Sequence, residues 1–292
     1  MRAYPYLALF TGVCAASSAA VLIRLCEAPA LGIAAFRLLF ASLILLPFSA
    51  LRAGREGWIW SCRDGLGMGL SGICLALHFA LWITSLNYTS VANSVILVST
   101  TPLFVGLASW LLLRERISVW TTIGIVAAMV GAGVIALKDG PSSRNSLLGD
   151  ALAVGGAVAM SGYLLIGRRL RQRIPALPYV SVINAVAALF LTLACLAAGA
   201  PLSDYPKRTY LLLLLLALFP QIIGHSSFNW ALRRISPAFI SVALLGEPIL
   251  ASAIAFIVLS EGPSRSALMG GPVVLAGILL AAHGEGKQAR EA

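Results

Sequence analysis

The chain has 292 residues, of which 59% are hydrophobic and only 11% are charged, and its mean hydropathy is +0.92. Ordinary soluble domains carry about 25% charged residues, so this composition excludes a soluble fold and predicts a surface that faces lipid. The net charge of +10 does not indicate nucleic-acid binding, because the basic residues stand in short clusters between apolar runs.

Ten apolar runs follow one another along the chain. A bilayer core about 30 Å thick needs about 20 apolar residues in a helix. The runs are continuous rather than alternating, so they predict helices, which satisfy their own backbone hydrogen bonds. The predicted fold is therefore an all-α membrane protein with ten transmembrane helices. The first half holds Tyr6–Ile23, Ala30–Leu51, Gly65–Leu86, Ser90–Leu113 and Ser118–Leu137. The second half holds Leu147–Gly167, Pro178–Gly199, Thr209–Leu232, Ser236–Leu259 and Ser266–His283.

The distribution of basic residues predicts the orientation. The first run is expected to remain as a span, because a single Arg precedes it and no convincing cleavage site follows. Most of the 21 Lys and Arg residues lie in segments that are inside when the amino terminus is cytoplasmic, as the positive-inside rule requires. We therefore expect a multi-pass protein of a bacterial-type inner (plasma) membrane, with both termini in the cytoplasm.

The two halves of the sequence resemble each other at an offset of 146 residues. His78 also falls one residue from the position that matches His225. An odd number of helices per half reverses the second half in the membrane, which is a recurrent transporter design with the substrate near the midplane. The predicted units are residues 1–140 and 141–292, two inverted five-helix repeats. The matching pairs include Pro102 with Pro248, Glu115 with Glu261, Gly124 with Gly270, and Gly131 with Gly277.

Several short motifs resemble the EamA type of the drug/metabolite transporter superfamily. They include the Phe-Arg-Leu-Leu segment at 36–39, the pairs Thr101-Pro102 and Glu247-Pro248, and the segment at 224–229. The ends of the fourth and ninth runs, Leu-Arg-Glu and Leu-Ser-Glu, and the glycine-rich fifth and tenth helices add to the likeness. The resemblance covers nearly the whole chain and occurs in both halves.

This resemblance implies ten helices and the export of small metabolites without ATP or any cofactor. One branch exports amino acids, including aromatic ones, whereas others move sugars, nucleotide-linked sugars or organic cations, so the substrate stays open. The expected partners are a small-molecule substrate, such as an amino acid, and the lipid bilayer, without nucleic acid. A pore between two repeats of one chain needs only a monomer, and a dimer is compatible with it.

Glu247 is the sharpest candidate for a substrate-binding residue. It lies about twelve residues into the ninth run, at membrane depth, where ionisable groups usually face a cavity or a partner. The carboxyl can bind a substrate amine or cycle a proton, and the alternative is a purely structural carboxyl. Pro248 removes a backbone hydrogen bond and is expected to kink the helix.

Two polar stripes are expected to line opposite walls of one cavity. His78 and Trp82 belong to a stripe on the third helix, and the eighth helix carries Gln221, His225 and Asn229 four residues apart, with Trp230 adjacent. Residues at such spacings share one helix face. The alternatives are interhelical hydrogen bonding for the polar groups and core packing for the two Trp residues.

Smaller polar residues complete the predicted cavity. Close helix packing is the alternative role for these small residues. Arg37, on the outer side of the second helix, either binds an anionic substrate group or pairs with a helix end or a carboxyl, and the second reading is favoured. The smaller polar residues predicted to line the cavity are Ser17, Asn93, Thr100, Thr101 and Tyr163.

Other types of site and protein are disfavoured. The five cysteines are scattered without metal-ligand spacing, so no metal site is predicted. No phosphate-binding G-x-x-x-x-G-K-[ST] motif is present, so transport must use gradients. A multidrug or organic-cation exporter is the main alternative. A lipid-acting membrane enzyme needs clustered catalytic groups, and the sequence has only three His residues, so this function is disfavoured. A scaffold or receptor is disfavoured because it does not need two inverted halves.

Overall fold

The computed structural model describes residues 4–56, 60–85, 88–89, 94, 97–114, 117–136, 146–259 and 265–291. All regular structure in these residues is helical. The amino-terminal series is α1 (Tyr4–Ser17), α2 (Ala19–Leu25), α3 (Ala30–Glu56), α4 (Cys62–Ser85), α5 (Thr101–Ala108) with a π-helical end Ser109–Leu113, and α6 (Val119–Ala136). The carboxy-terminal series is α7 (Ser146–Arg171), α8 (Ala176–Ala197), α9 (Lys207–Leu216), a π-helical stretch Ala217–His225, α10 (Ser226–Ala231), α11 (Pro237–Leu244), α12 (Glu247–Leu259) and α13 (Arg265–Glu291).

The apolar helices agree with the prediction in class and largely in position. Within the described residues, eight helical stretches are long and apolar enough to cross a membrane. Two shorter apolar helices, Thr101–Leu113 and Val119–Val134, stand where the fourth and fifth spans are predicted. The all-α class is therefore confirmed. The eight stretches are Tyr4–Leu25, Ala30–Gly54, Cys62–Ser85, Leu147–Arg171, Ala176–Ala197, Lys207–Ala231, Pro237–Val258 and Leu268–Gln288.

The packing of helices is paired between the two series. The closest pairs are α6 with α13, α4 with α7, and α3 with α8, and α1 packs on the π-helical stretch and α10. When each helix of one series is replaced by its equivalent in the other, the α4–α7 pair corresponds to the α1–α10 pair. The α6–α13 and α3–α8 pairs correspond to themselves. The helix contacts are therefore symmetric between the two series.

Glycines allow α6 and α13 to pack in direct backbone contact. A Cβ on Gly124 would lie 2.6 Å from the carbonyl oxygen of Gly277, and one on Gly131 would lie 2.6 Å from the backbone nitrogen of Val274. Small residues at such contacts let membrane helices approach closely. A Cβ on Gly277 would likewise lie 2.5 Å from the backbone nitrogen of Ala128, whereas no atom of another described residue lies within 4 Å of the Cβ position of Gly133.

A methyl group in this glycine seam should destabilise the protein. We expect Gly131→Ala and Gly277→Ala each to lower the melting temperature of the purified protein, because overpacking costs about 1–3 kcal/mol where the neighbouring atoms are backbone. Gly133→Ala is the matched control on the same helix and should leave the melting temperature unchanged or raise it slightly. Equal effects at the three positions would contradict the tight seam.

Candidate functional site

A central cavity of about 350 Å³ lies between the two helix series. Its lining residues come from α1, α2, α3, α4 and α5, from residues 98–99 just before α5, and from α7, the π-helical stretch, α10, α11 and α12. The volume falls in the range of small-molecule sites, which is about 300–1,000 Å³. Part of the predicted set of site residues meets here, namely Ser17, His78, Trp82, Thr101, His225 and Glu247.

Two broken helices bring polar groups to the cavity from equivalent positions of the two halves. Turns at residues 99–100 and 245–246 precede α5 and α12, so that Thr101 and Glu247 each begin a new helix segment. Proline follows both residues and is tolerated in the first turn of a helix, where its missing N–H is not needed. The predicted kink at Pro248 therefore takes the form of a full interruption one turn earlier. At the first break, the Thr101 hydroxyl donates to the Val98 carbonyl (2.8 Å).

Arg37 brings a positive charge to the same cavity. Its side chain is 5% exposed, its Nε donates to Gln221 Oε1 at 2.8 Å, and its guanidinium lies 4.6 Å from the centre of the Phe79 ring. Arg37 and Glu247 both line the cavity. The cavity thus contains one guanidinium group and one carboxyl group against a largely apolar background.

His78 and Trp82 form a stacked aromatic wall. Their rings are nearly parallel, at 14°, with centroids 6.1 Å apart. His78 Nδ1 lies 3.0 Å from the Gly156 carbonyl oxygen. A carbonyl only accepts, so Nδ1 must carry the proton that is donated. The Trp82 indole N–H is enclosed and has no hydrogen-bond partner among the described residues, so Trp82 lines the cavity with other atoms of its ring.

His225 closes the opposite wall. Its ring packs against Phe79, Tyr163 and Phe228, and its side chain is 8% exposed. Within the described part of the chain its Nδ1 has no hydrogen-bond partner. Buried polar atoms are nearly always paired in native proteins, and these two unpaired atoms are enclosed behind the surface of the cavity.

The profile of the EamA-like transporter family matches this chain twice, over residues 3–137 and 147–282. The chain belongs to this family. The resemblance predicted from the sequence is therefore confirmed, and the EamA-family chain is a membrane transporter.

Individual relatives of this EamA-family chain cover most of its length. The uncharacterized transporter YwfM of Bacillus subtilis is 26% identical over 273 residues, which are 90% of this chain and 87% of the relative. A probable terminal-alkyne amino-acid exporter of Streptantibioticus cattleyicolor is 28% identical over 71% of each chain. A crystal structure with 16% identity superposes with a TM-score of 0.83 over 99% of both chains, which establishes the fold alone.

Several predicted site residues lie behind the cavity wall rather than on it. Tyr163 is fully buried, and its hydroxyl accepts a hydrogen bond from Asn229 Nδ2 at 2.5 Å. Asn229 also donates to the His225 carbonyl (2.7 Å). Gln221 contacts Arg37 instead of the cavity. The polar atoms of these three side chains therefore bond to neighbouring residues instead of facing the open space.

Two further predicted residues do not line the cavity, and one lies outside the described residues. Trp230 does not line the cavity, because its ring stacks on the Arg234 guanidinium at 4.3 Å. Thr100 bonds back to the Leu97 carbonyl (2.5 Å) and is likewise absent from the lining. Both residues therefore satisfy local contacts. Asn93 lies outside the described residues.

Other lining residues carry a weaker signal in the sequence. For Arg37 the sequence leaves an anion-binding role open and favours a structural pair, although a charge at membrane depth is itself a signal of a functional position. Phe79 and Phe228 adjoin the two histidine stripes, but aromatic residues in an apolar run give no pattern that separates a cavity wall from a lipid face. Met160 gives no such signal either.

The hydroxyl of Tyr163 should matter for stability and not for substrate selection. Tyr163→Phe removes the partner of Asn229, and interhelical hydrogen bonds in membranes contribute about 0.6–2 kcal/mol, so the melting temperature should fall while substrate KM stays unchanged. Tyr4→Phe, at a side chain that is 70% exposed, is the matched control and should change neither. A raised KM in Tyr163→Phe with an unchanged melting temperature would place the hydroxyl in the binding site.

Proposed function

We propose that this chain is an inner-membrane secondary transporter that exports small zwitterionic metabolites by alternating access through the central cavity. The substrates are amino acids, including those with apolar or aromatic side chains. The observation that carries the proposal is the presence of Arg37 and Glu247 in one cavity of about 350 Å³. An amino acid carries one carboxylate and one ammonium group, and the cavity offers one complement to each.

The two charged groups differ in the ligand group that each can hold. A guanidinium binds a carboxylate through parallel N–H donors, which gives both strength and direction. The Glu247 carboxyl only accepts when it is ionised, so it suits the substrate ammonium. Hydrogen bonds to charged groups contribute about 1.5–3 kcal/mol each, which is enough to select a zwitterion from a mixture of metabolites.

The rest of the cavity suits an apolar substrate side chain. Phe79, Trp82, Phe228 and Leu244 all line it, and aromatic rings offer large apolar contact areas with offset or edge-to-face packing. A relative described as a probable terminal-alkyne amino-acid exporter is consistent with this assignment. A bare organic cation is disfavoured, because it would enter a cavity that already holds the Arg37 charge.

The proposed topology has ten spans in two inverted repeats, residues 1–140 and 141–292, with both termini in the cytoplasm. The double match to the family profile, the paired helix packing and the equivalent breaks before Thr101 and Glu247 support it. Discontinuous helices at the repeat interface are typical of transporter substrate sites. The two shorter apolar helices would supply the fourth and fifth spans.

Arginines at the end of α7 and just after it support alternating access, because they connect the ends of several helices. Under the proposed topology this end is cytoplasmic, and the lining of the cavity lies at the middle and towards the opposite end of α1, α3 and α4. A seal on one side and a cavity towards the other correspond to one of the two states that alternating access requires. The contacts are Arg168 Nη1 to the Leu232 carbonyl (2.7 Å), Arg169 Nη2 to the Leu112 carbonyl, Arg171 Nε to the Asn229 carbonyl (2.8 Å) and Arg173 Nη2 to Asp64 Oδ1 (2.5 Å).

Counterflow in proteoliposomes tests the proposed substrate class. The full chain should exchange labelled leucine and phenylalanine saturably, and Arg37→Gln and Glu247→Gln should each lower exchange about tenfold or more, since each 1.4 kcal/mol is a factor of ten. The matched controls Arg208→Gln and Glu27→Gln alter exposed side chains away from the cavity and should keep the wild-type rate.

Other results would select another function. Movement of tetraphenylphosphonium without amino-acid exchange, abolished by Glu247→Gln and spared by Arg37→Gln, would establish an organic-cation exporter instead. Movement of neither probe would reject both transport assignments and favour the lipid-acting enzyme or the scaffold. Equal loss in the cavity variants and their controls would show that the substitutions act on folding.

Cysteine labelling tests the proposed orientation. Cys62 is exposed and Cys26 is partly buried. Cys26 lies shortly before the start of α3 and Cys62 shortly after its end. A variant that keeps only Cys62 should resist a membrane-impermeant maleimide in intact cells and react in inverted vesicles, and a variant that keeps only Cys26 should show the reverse. The opposite pattern would place the termini outside, and labelling of both from one side would reject the predicted topology.

A further inference from the structure

Arg37 is supported by a short chain of hydrogen bonds that crosses between the two helix series. Gln221 accepts from Arg37 Nε at 2.8 Å, and its own Nε2 donates to Asn184 Oδ1 at 2.9 Å. Gln221 is 0% exposed and Asn184 is 2% exposed. Neither residue lines the cavity, so the pair acts on a ligand only through Arg37.

The remaining donors of Arg37 point to a ligand. Its two Nη groups form no hydrogen bond to any described residue and are not among the enclosed polar atoms that lack a partner. The Phe79 ring covers one face of the guanidinium. With Nε occupied by Gln221 and one face occupied by Phe79, the Nη edge is the part of the group left to meet the cavity. A planar guanidinium presents two parallel donors along such an edge, which matches the two oxygens of a carboxylate.

The local backbone explains how Gln221 reaches this position. Gln221 lies in the π-helical stretch Ala217–His225 and follows Pro220, which has no backbone N–H to donate to the helix. Segments of π-helix are rare and are frequent at functional sites. In this wider turn Gln221 contacts Arg37 on α3 and Asn184 on α8. His225, four residues later, lines the cavity instead.

We propose that Gln221 and Asn184 are positioning residues that fix the Nη edge of Arg37 as the carboxylate subsite of the cavity. Gln221 holds Nε, and Asn184 holds the Gln221 amide so that its oxygen faces Arg37. Without Gln221 the buried guanidinium would turn to find another acceptor, because an unpaired charged donor at membrane depth is costly. The site would then keep its charge and lose its direction.

The inference rests on the proposed function but has its own readout, the binding of phenylacetate, which carries a carboxylate and no amine. With the purified full chain, Gln221→Leu should weaken binding of labelled phenylacetate about tenfold, and Arg37→Gln should abolish it. The double variant Arg37→Gln/Gln221→Leu should bind phenylacetate no worse than Arg37→Gln alone, because the effects of two substitutions that act through one group are not additive. Phenethylamine lacks the carboxylate and its cation is disfavoured by the Arg37 charge, so any residual binding of it should be the same in wild type and Gln221→Leu.

Two control comparisons separate positioning from folding. Gln172→Leu alters an exposed glutamine and should bind phenylacetate as wild type does. Asn184→Asp keeps an oxygen for the Gln221 amide and should retain binding, whereas Asn184→Leu should weaken it, so this pair decides the question even if Gln221→Leu fails to fold.

The outcomes of the binding experiment are distinct. Loss in Arg37→Gln with full binding in Gln221→Leu and Asn184→Leu would overturn the positioning role and leave the carboxylate subsite in place. Undiminished binding in Arg37→Gln, or no binding to wild type, would overturn both the subsite and its support. If the variants change phenylacetate binding as expected but the wild type shows no amino-acid counterflow, only the proposed export function would be overturned.

Discussion

Arg37 places a guanidinium at the depth of the bilayer core, and the residues around it must stabilise that charge. Insertion scales put the cost of an arginine at the centre of a membrane helix at about 2.5–3.5 kcal/mol. Gln221 offsets part of this cost with a hydrogen bond, and the face of Phe79 offsets part through a cation–π contact. Because Arg37 and Gln221 belong to different helix series, the charge is satisfied only when the two series are assembled.

The broken helices meet a second requirement of the same kind. Backbone polar groups freed at membrane depth must be satisfied inside the protein or face a cavity. At both breaks short-range bonds do part of this, for example from the Thr101 hydroxyl to the Val98 carbonyl and from the Gly246 nitrogen to the Ala243 carbonyl. The breaks are consequently found where the cavity is, and Glu247 enters it as the first residue of α12.

The peripheral part of the molecule is organised differently. The α6–α13 seam buries glycine backbone against backbone, with no polar side chain required at the contacts of Gly124 and Gly131. Dispersion between closely packed small residues stabilises such contacts in lipid, where burial of apolar surface gives no advantage. A closely packed seam away from the cavity and a centre that holds Arg37 and Glu247 give the chain one region suited to stability and another suited to ligand exchange.

The sequence by itself determined the membrane class, the helical fold and the family, since composition, long apolar runs and duplicated motifs are local properties that survive without coordinates. It also placed Glu247, His78 and His225 at the centre, because ionisable groups at membrane depth are rarely without a role. Tertiary structure alone decided which polar residues face open space. Gln221 and Tyr163 share a helical spacing with true lining residues, but their side chains are taken up by Arg37 and Asn229, and a periodic pattern defines a helix face without defining what packs against it.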